Sequence, residues 1–405
     1  MRRRPSPCHR KQLSHRALRP VQFIIKKPNG DVMKKKFVAA CSLAGCSVLA
    51  QAEPNLTLYG DLDQYLGYIH SSSGKSVTGL NDGAILRSRL GLRGVEELGG
   101  GYQTRFTLEQ GLNANTGGAA DSSRLFDRQA WVGMNTPAGE FRVGRQNSIV
   151  FFIGGAIDYT ERTTYGSVIN TFGVPSRYDN DISYKSPRVA GFQFDAHYAL
   201  TETAGESVGA RGVYQLGLDY SKGPYRAGYA GLWAKPAANA QFSEKVVYHN
   251  LYANYDYGKG KLYFAYVRSN NVTSNASGNT AAAILNNVSI PGNAFTGANA
   301  DVQRMYNIFQ VSADYRLSPQ WRIGALYGVM QDTSQRDSGA QGGNLGTYYD
   351  LSKRTTLYGF ASYMKNDANA GFRFSGSAGP TANLAGADIN GKSLAGLQAG
   401  ILHRF

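Results

Sequence analysis

Sixteen segments of this chain alternate apolar and polar residues with a period of two, and the connections between them alternate between short and long. The segments are Leu56–Ile69, Ala84–Val95, Tyr102–Leu112, Phe126–Asn135, Glu140–Arg145, Arg177–Lys185, Phe192–Leu200, Arg211–Ser221, Tyr225–Ala234, Val246–Tyr257, Lys261–Arg268, Val302–Arg316, Trp321–Gln331, Gly346–Leu351, Thr355–Lys365 and Leu394–Phe405. A period of two gives a strand one apolar and one polar face. One such hairpin, for example Leu86–Gly111, fits a half-buried soluble sheet equally well. The connections decide between the two. Seven are short: Glu96–Gly101, Thr136–Gly139, Ser186–Gly191, Lys222–Pro224, Gly258–Gly260, Leu317–Gln320 and Ser352–Arg354. The eight between them are long and polar, among them Ser71–Gly83, Gln146–Ser176, Ser269–Asp301 and Asn366–Ser393. A soluble sandwich has no reason to sort its loops by length, whereas a transmembrane barrel carries turns at one end and loops at the other. The expected fold is all-β: a 16-stranded antiparallel transmembrane β-barrel with both termini on the turn side.

After residue 52 no stretch approaches the roughly 18 consecutive apolar residues of a transmembrane helix. A barrel needs none, because only alternate residues face lipid and closure leaves no backbone edge unpaired. Many of the 26 tyrosines stand near strand ends, including Tyr59, Tyr68, Tyr225, Tyr255, Tyr315 and Tyr363. That placement suits interfacial girdles.

The first 52 residues read as a leader. Met33–Lys36 is a basic start, Phe37–Leu49 an apolar stretch, and Ala50-Gln51-Ala52 a signal-peptidase site before Glu53. Residues 33–52 are thus expected to be a signal peptide, 1–32 a non-native upstream extension, and 53–405 the barrel. A basic nucleic-acid or lipid-binding arm is the alternative for 1–32, and lipidation at Cys46, in Leu43-Ala44-Gly45-Cys46, the alternative for the signal. The leader holds 12 of the 43 Lys and Arg and one of the 28 Asp and Glu, so the remainder carries +4 rather than +15. The basic balance therefore gives no reason to expect nucleic acid. All three cysteines lie in the leader, and the mature chain is left without disulfides or cysteine-based metal sites.

The polar faces imply a wet interior. Thr57, Tyr59, Asp61 and Asp63 alternate with Leu56, Leu58 and Leu62 on the first strand. Arg87, Arg89 and Arg93 share the inner face of the second strand, Arg105 follows on the third, and Arg128 and Arg142 on the fourth and fifth. These make a block of guanidinium groups on one wall; Asp61, Asp63 and Glu109 share the lumen and oppose it in charge. On the last strand Leu397, Ala399, Ile401 and Phe405 fall on one face with His403, while Gln398 and Arg404 fall on the other.

SRLGLRGVEELGGGYQTRF at Ser88–Phe106, LFDRQAWVGM at Leu125–Met134 and VGRQ at Val143–Gln146 resemble the general diffusion porins of Gram-negative outer membranes, in their beta-proteobacterial form. The similarity runs from Asn55 to Phe405. It implies that the long third loop, Gln146–Ser176, folds into the lumen. It also implies that Arg89, Arg128 and Arg177 form the pore constriction, assisted by Arg87 and Arg105 and faced by the loop acids Asp158 and Glu161. The same resemblance implies outer-membrane lipid around the barrel, a homotrimer, and reading of the terminal Phe405 by the outer-membrane insertion machinery. The implied function is passive diffusion of ions and small hydrophilic solutes, and the arginines, outweighing Asp158 and Glu161, predict a weak preference for anions. A solute-specific channel and a barrel adhesin or binding protein are the alternatives. The four histidines after the leader, His70, His197, His249 and His403, are scattered and form no HExxH-type motif. Neither catalysis nor a cofactor or metal is expected.

The processing site is directly testable. Intact mass of the protein from outer membranes should correspond to a chain beginning at Glu53; a lipid-bearing chain beginning at Cys46, or one retaining Met1, contradicts the leader reading.

Overall fold

The computed structural model describes residues 55–160, 165, 177–200, 212–234, 245–269, 305–333, 337, 339–374, 380 and 382–405. Sixteen of its strands, from Asn55–Ser71 to Ser393–Arg404, form one antiparallel sheet that closes on itself. Asn55–Ser71 makes the seam. It pairs with Ser393–Arg404 from Asp61↔Arg404 to Ser71↔Leu394, and over its first half with Arg89–Gly99, from Asn55↔Val95 to Asp61↔Arg89. Closure leaves no open edge, which a spanning sheet requires.

The two faces separate as the alternation demands. On the first strand Leu56, Leu58, Leu62 and Leu66 are exposed, and Asp63, Tyr65 and Ile69 are buried inside. Aromatic pairs ring both ends of the outer face. Near the short turns Phe192 lies 4.8 Å from Tyr220, and Tyr225 stacks on Tyr255 at 5.2 Å. Near the long loops Tyr198 lies 4.7 Å from Tyr214 and Tyr266 lies 5.0 Å from Phe309. The two rings stand where an amphipathic aromatic meets both apolar core and headgroup. The tightest turn, Gly99–Gly101, has φ of 84°, 62° and 84°, a left-handed run that glycine alone adopts readily.

Four expectations change. Ser76–Asp82, read as loop, is a strand paired with the upper half of Asn55–Ser71. The second barrel strand starts at Arg89, not Ala84, because the Asp63 carboxylate accepts the Ile85 and Leu86 amides at 2.8 Å each and draws that stretch off the ladder. Arg87 consequently precedes the strand instead of lying on it. The fourth strand runs Gln129–Thr136 rather than from Phe126. The fourteenth is Ala340–Asp350, not Gly346–Leu351; Gly342 and Gly343 give it no side-chain alternation to read.

The ladder continues to the last residue: Phe405 N donates to Gly60 O at 3.0 Å and Gly60 N to Phe405 O at 3.2 Å. A Cβ on Gly60 would collide with the Phe405 ring and fall 2.5 Å from the Arg89 carbonyl oxygen. Gly60→Val should therefore destabilise the seam by about 1–3 kcal/mol, read as a lower unfolding midpoint in detergent. An unchanged midpoint would show that the seam does not depend on this close approach.

Candidate pore constriction

Three arginines from separate strand ends gather on one carboxylate. Arg89 opens Arg89–Gly99, Arg177 opens Arg177–Lys185, and Arg128 immediately precedes Gln129–Thr136. Glu109, on the inner face of Tyr102–Asn113, accepts from Arg128 Nε at 2.7 Å, and Arg89 approaches it at 3.8 Å. The Tyr59 hydroxyl donates to the same carboxylate at 2.9 Å. Gly91 leaves room for that ring: a Cβ there would sit 2.7 Å from the Tyr59 oxygen. Arg89 also pairs with Asp61 at 3.0 Å. The Arg177 guanidinium lies 4.8 Å above the Phe151 ring and within the electrostatic reach of Arg128, Glu109 and Arg89. Glu109, Arg128 and Arg177 are only 2–3 % exposed. Their charges therefore act at low local dielectric, where both attraction and repulsion are strong.

Arg87 sits beside this group. It donates to Asn113 at 3.0 Å, and burial, with the Arg128 charge adding to it, holds its guanidinium below the usual arginine range. Arg105 is not brought to the cluster. It lies four residues along the strand from Glu109, about 13 Å toward the short turns, where it pairs with Glu140 at 3.3 Å beside Arg142. The sequence reading missed Arg145, which donates to the Asp127 carbonyl at 2.6 Å and pairs with Asp179 at 2.6 Å, together with Arg124 at 2.9 Å. Only its place in VGRQ marked it.

The segment after Gly139–Asn147 docks on inward-facing residues of later strands. Two short helices, Ile149–Phe152 and Gly154–Ile157, open it. Ile149 N donates to Gln215, Asn254 donates to the Ala156 carbonyl at 3.1 Å, and Tyr159 N donates to Ser312. The Tyr159 hydroxyl donates to Asn344, and burial raises its pKa well above the usual phenol range. At Tyr165, N donates to Gln398 at 3.0 Å and the carbonyl accepts from Ser362. Phe151 thus lies against Arg177, whereas from Ala156 to Tyr159 the segment follows the wall remote from the arginines. Asp158 goes with it. One of its oxygens accepts from Gln310 at 3.0 Å and the other from Thr160 N and Oγ1 at 2.8 and 2.6 Å. These bonds occupy the carboxylate on the remote wall and away from the arginines. Glu161 lies outside the described residues.

Residues 38–369 match the family described as Gram-negative porin. An outer membrane porin protein of Bordetella pertussis is 32 % identical, over 83 % of this chain and 95 % of that one. Outer membrane porin protein 32 of Delftia acidovorans is 30 % identical, over 92 % and 100 %. Among solved structures, the anion-selective porin from Comamonas acidovorans is similar at a TM-score of 0.70 and 25 % identity, over 87 % of this chain and all of that one.

Glu109 compensates several buried cations at once, and Arg105 sits in a half-exposed pair. Glu109→Gln should cost about 3–5 kcal/mol in reversible unfolding from lipid vesicles, and Arg105→Ser less than about 1 kcal/mol. Equal costs would mean that Glu109 does not hold the cluster.

Proposed function

We infer how this channel selects from a chain that belongs to the Gram-negative porin family: an outer-membrane β-barrel through which ions and small hydrophilic solutes diffuse passively. The reading is a constriction at Arg89, Arg128 and Arg177 with a weak preference for anions. One observation carries it: three guanidinium groups gather around Glu109, with Asp61 beside Arg89, and Asp158 is engaged on the remote wall. The similar porin of Comamonas acidovorans is anion-selective, which supports the same sign.

The mechanism is electrostatic and passive. A wall with surplus positive charge, set in low-dielectric protein, raises the local concentration of anions and lowers that of cations. Charges in a narrow throat are screened less than on an open surface, so the bias is greatest in dilute salt. A tight site would slow exit, so conduction favours weak contact. Arg89 and Asp61, each just over one-tenth exposed in the side chain, meet the permeating ion directly. Arg128 and Arg177 act from behind them. Arg105, Glu140 and Arg142 form a second group toward the short-turn end, two cations on one carboxylate.

The relatives are channel proteins, and no catalytic step, cofactor or metal is proposed. We further propose that residues 33–52 are removed on export, that the long loops face the cell exterior, that Phe405 is read during insertion, and that the protein assembles as a homotrimer, as the family resemblance implies.

Replacing Arg89 and Arg128 with Ser should widen the pore and move the zero-current potential toward cations relative to the unaltered protein. Unchanged conductance and potential in a double variant that still folds would exclude these arginines as the constriction.

A further inference from the structure

The outward face of the barrel is not evenly filled. Leucines cover it on Asn55–Ser71, yet across Tyr306–Arg316, Trp321–Asp332, Ala340–Asp350 and Thr355–Asn366 the register sets small residues side by side. Ala313 lies beside Ala325, Ala325 beside Leu345, and Leu345 beside Ala361. Two residues toward the long-loop end, Gly343 lies between Tyr327 and Tyr363. The result is a hollow of about 950 Å³, continued past Leu345 toward Gly359 by a second of about 620 Å³. Leu345, 66 % exposed, stands as a ridge between the alanines and divides the floor into two lanes. A Cβ on Gly343 would fall on the Leu326 carbonyl, so the notch between the tyrosines cannot be filled without moving backbone.

We propose that this hollow seats the acyl chains of a phosphate-bearing lipid, with Lys365 receiving the phosphate. Lys365 is outward-facing and exposed at the long-loop end of the hollow. Among the described residues no carboxylate pairs with it. A lysine on a lipid-facing surface extends to the headgroup level and attracts anionic headgroups. Next to it the Gln341 side-chain Oε1 accepts from the Tyr327 hydroxyl at 2.8 Å, and the Gln341 side-chain amide nitrogen is a second donor at the same level. Below this polar mouth the walls are apolar. A chain lying in a lane gains dispersion contacts on several sides, and lipid on a smooth belt gains them on one. Two lanes suit the two chains of one lipid, and a ridge such as Leu345 disfavours flat docking of a second barrel. The proposal rests on the outer belt being in lipid, but not on the selectivity of the pore.

The unaltered protein, Lys365→Gln, Ala361→Leu, Ala325→Leu and the control Lys75→Gln are reconstituted in phosphatidylcholine vesicles doped with phosphatidic acid. Lipid retained after extraction into mild detergent is counted by native mass spectrometry, and conductance is measured on the same samples. Unaltered protein and Lys75→Gln should retain phosphatidic acid. Lys365→Gln should retain about fivefold less, and each lane-filling variant should lose phosphatidic acid and phosphatidylcholine alike. Equal retention in all five, with conductance intact, overturns the lipid site and leaves the channel reading standing. A lane-filling variant that changes the number of protein copies in the particle instead would make the hollow a protein contact and likewise overturn the proposal.

Discussion

A backbone that crosses hydrocarbon has no water to satisfy its N–H and C=O groups, so every one must be paired within the protein. This chain meets that constraint by closing its sheet along Asn55–Ser71, and most of the architecture follows from the closure. Once the sheet is closed, alternate side chains have only two destinations. Leucines and rim aromatics go outward, and Asp63, Glu109 and the arginines go inward. The seam also explains why Gly60 faces Phe405: the last residue must reach its partner strand for the ladder to end without an unpaired step.

The lumen is governed by the opposite concern, the cost of holding charge near protein. Arginines on neighbouring strands repel one another, and a carboxylate in their midst lowers that cost. Glu109 takes this part through Arg128 and Arg89, while Asp61 supports Arg89 from the seam strand. Among the described residues Arg177 shares the same field, and Asp158 is bonded to Gln310 and Thr160 on the remote wall. On the proposed reading this wall carries the ion preference, so folding stability and selectivity would arise from the same few contacts.

The sequence was readable where a strand has a strong outward face and opaque where it does not. Tyr225–Ala234 is delimited to the residue, because Tyr225, Ala227, Tyr229 and Trp233 alternate along it against Arg226 and Gly228. Ala340–Leu345 is not legible because Gln341-Gly342-Gly343-Asn344 carries no hydrophobic period, although its backbone is fully laddered. The start at Arg89 was misplaced because a carboxylate two dozen residues earlier, Asp63, captures two amides; nothing local to Ala84 shows this. The candidate site behaved similarly. The inward arginines follow from period two, and the motifs around Arg89 and Arg128 set their places. The separation of Arg105 from the cluster, the convergence on Glu109 and the orientation of Asp158 depend on which strands become neighbours and on how an aperiodic segment docks.

The central claim is that the arginine-rich wall sets the ion preference. The most direct measurement is the zero-current potential of the unaltered protein in a planar bilayer under a potassium chloride gradient, first dilute and then concentrated. The account predicts a potential of the sign for chloride preference that shrinks as salt rises. A potential of the opposite sign, or one that does not change with salt, would contradict it.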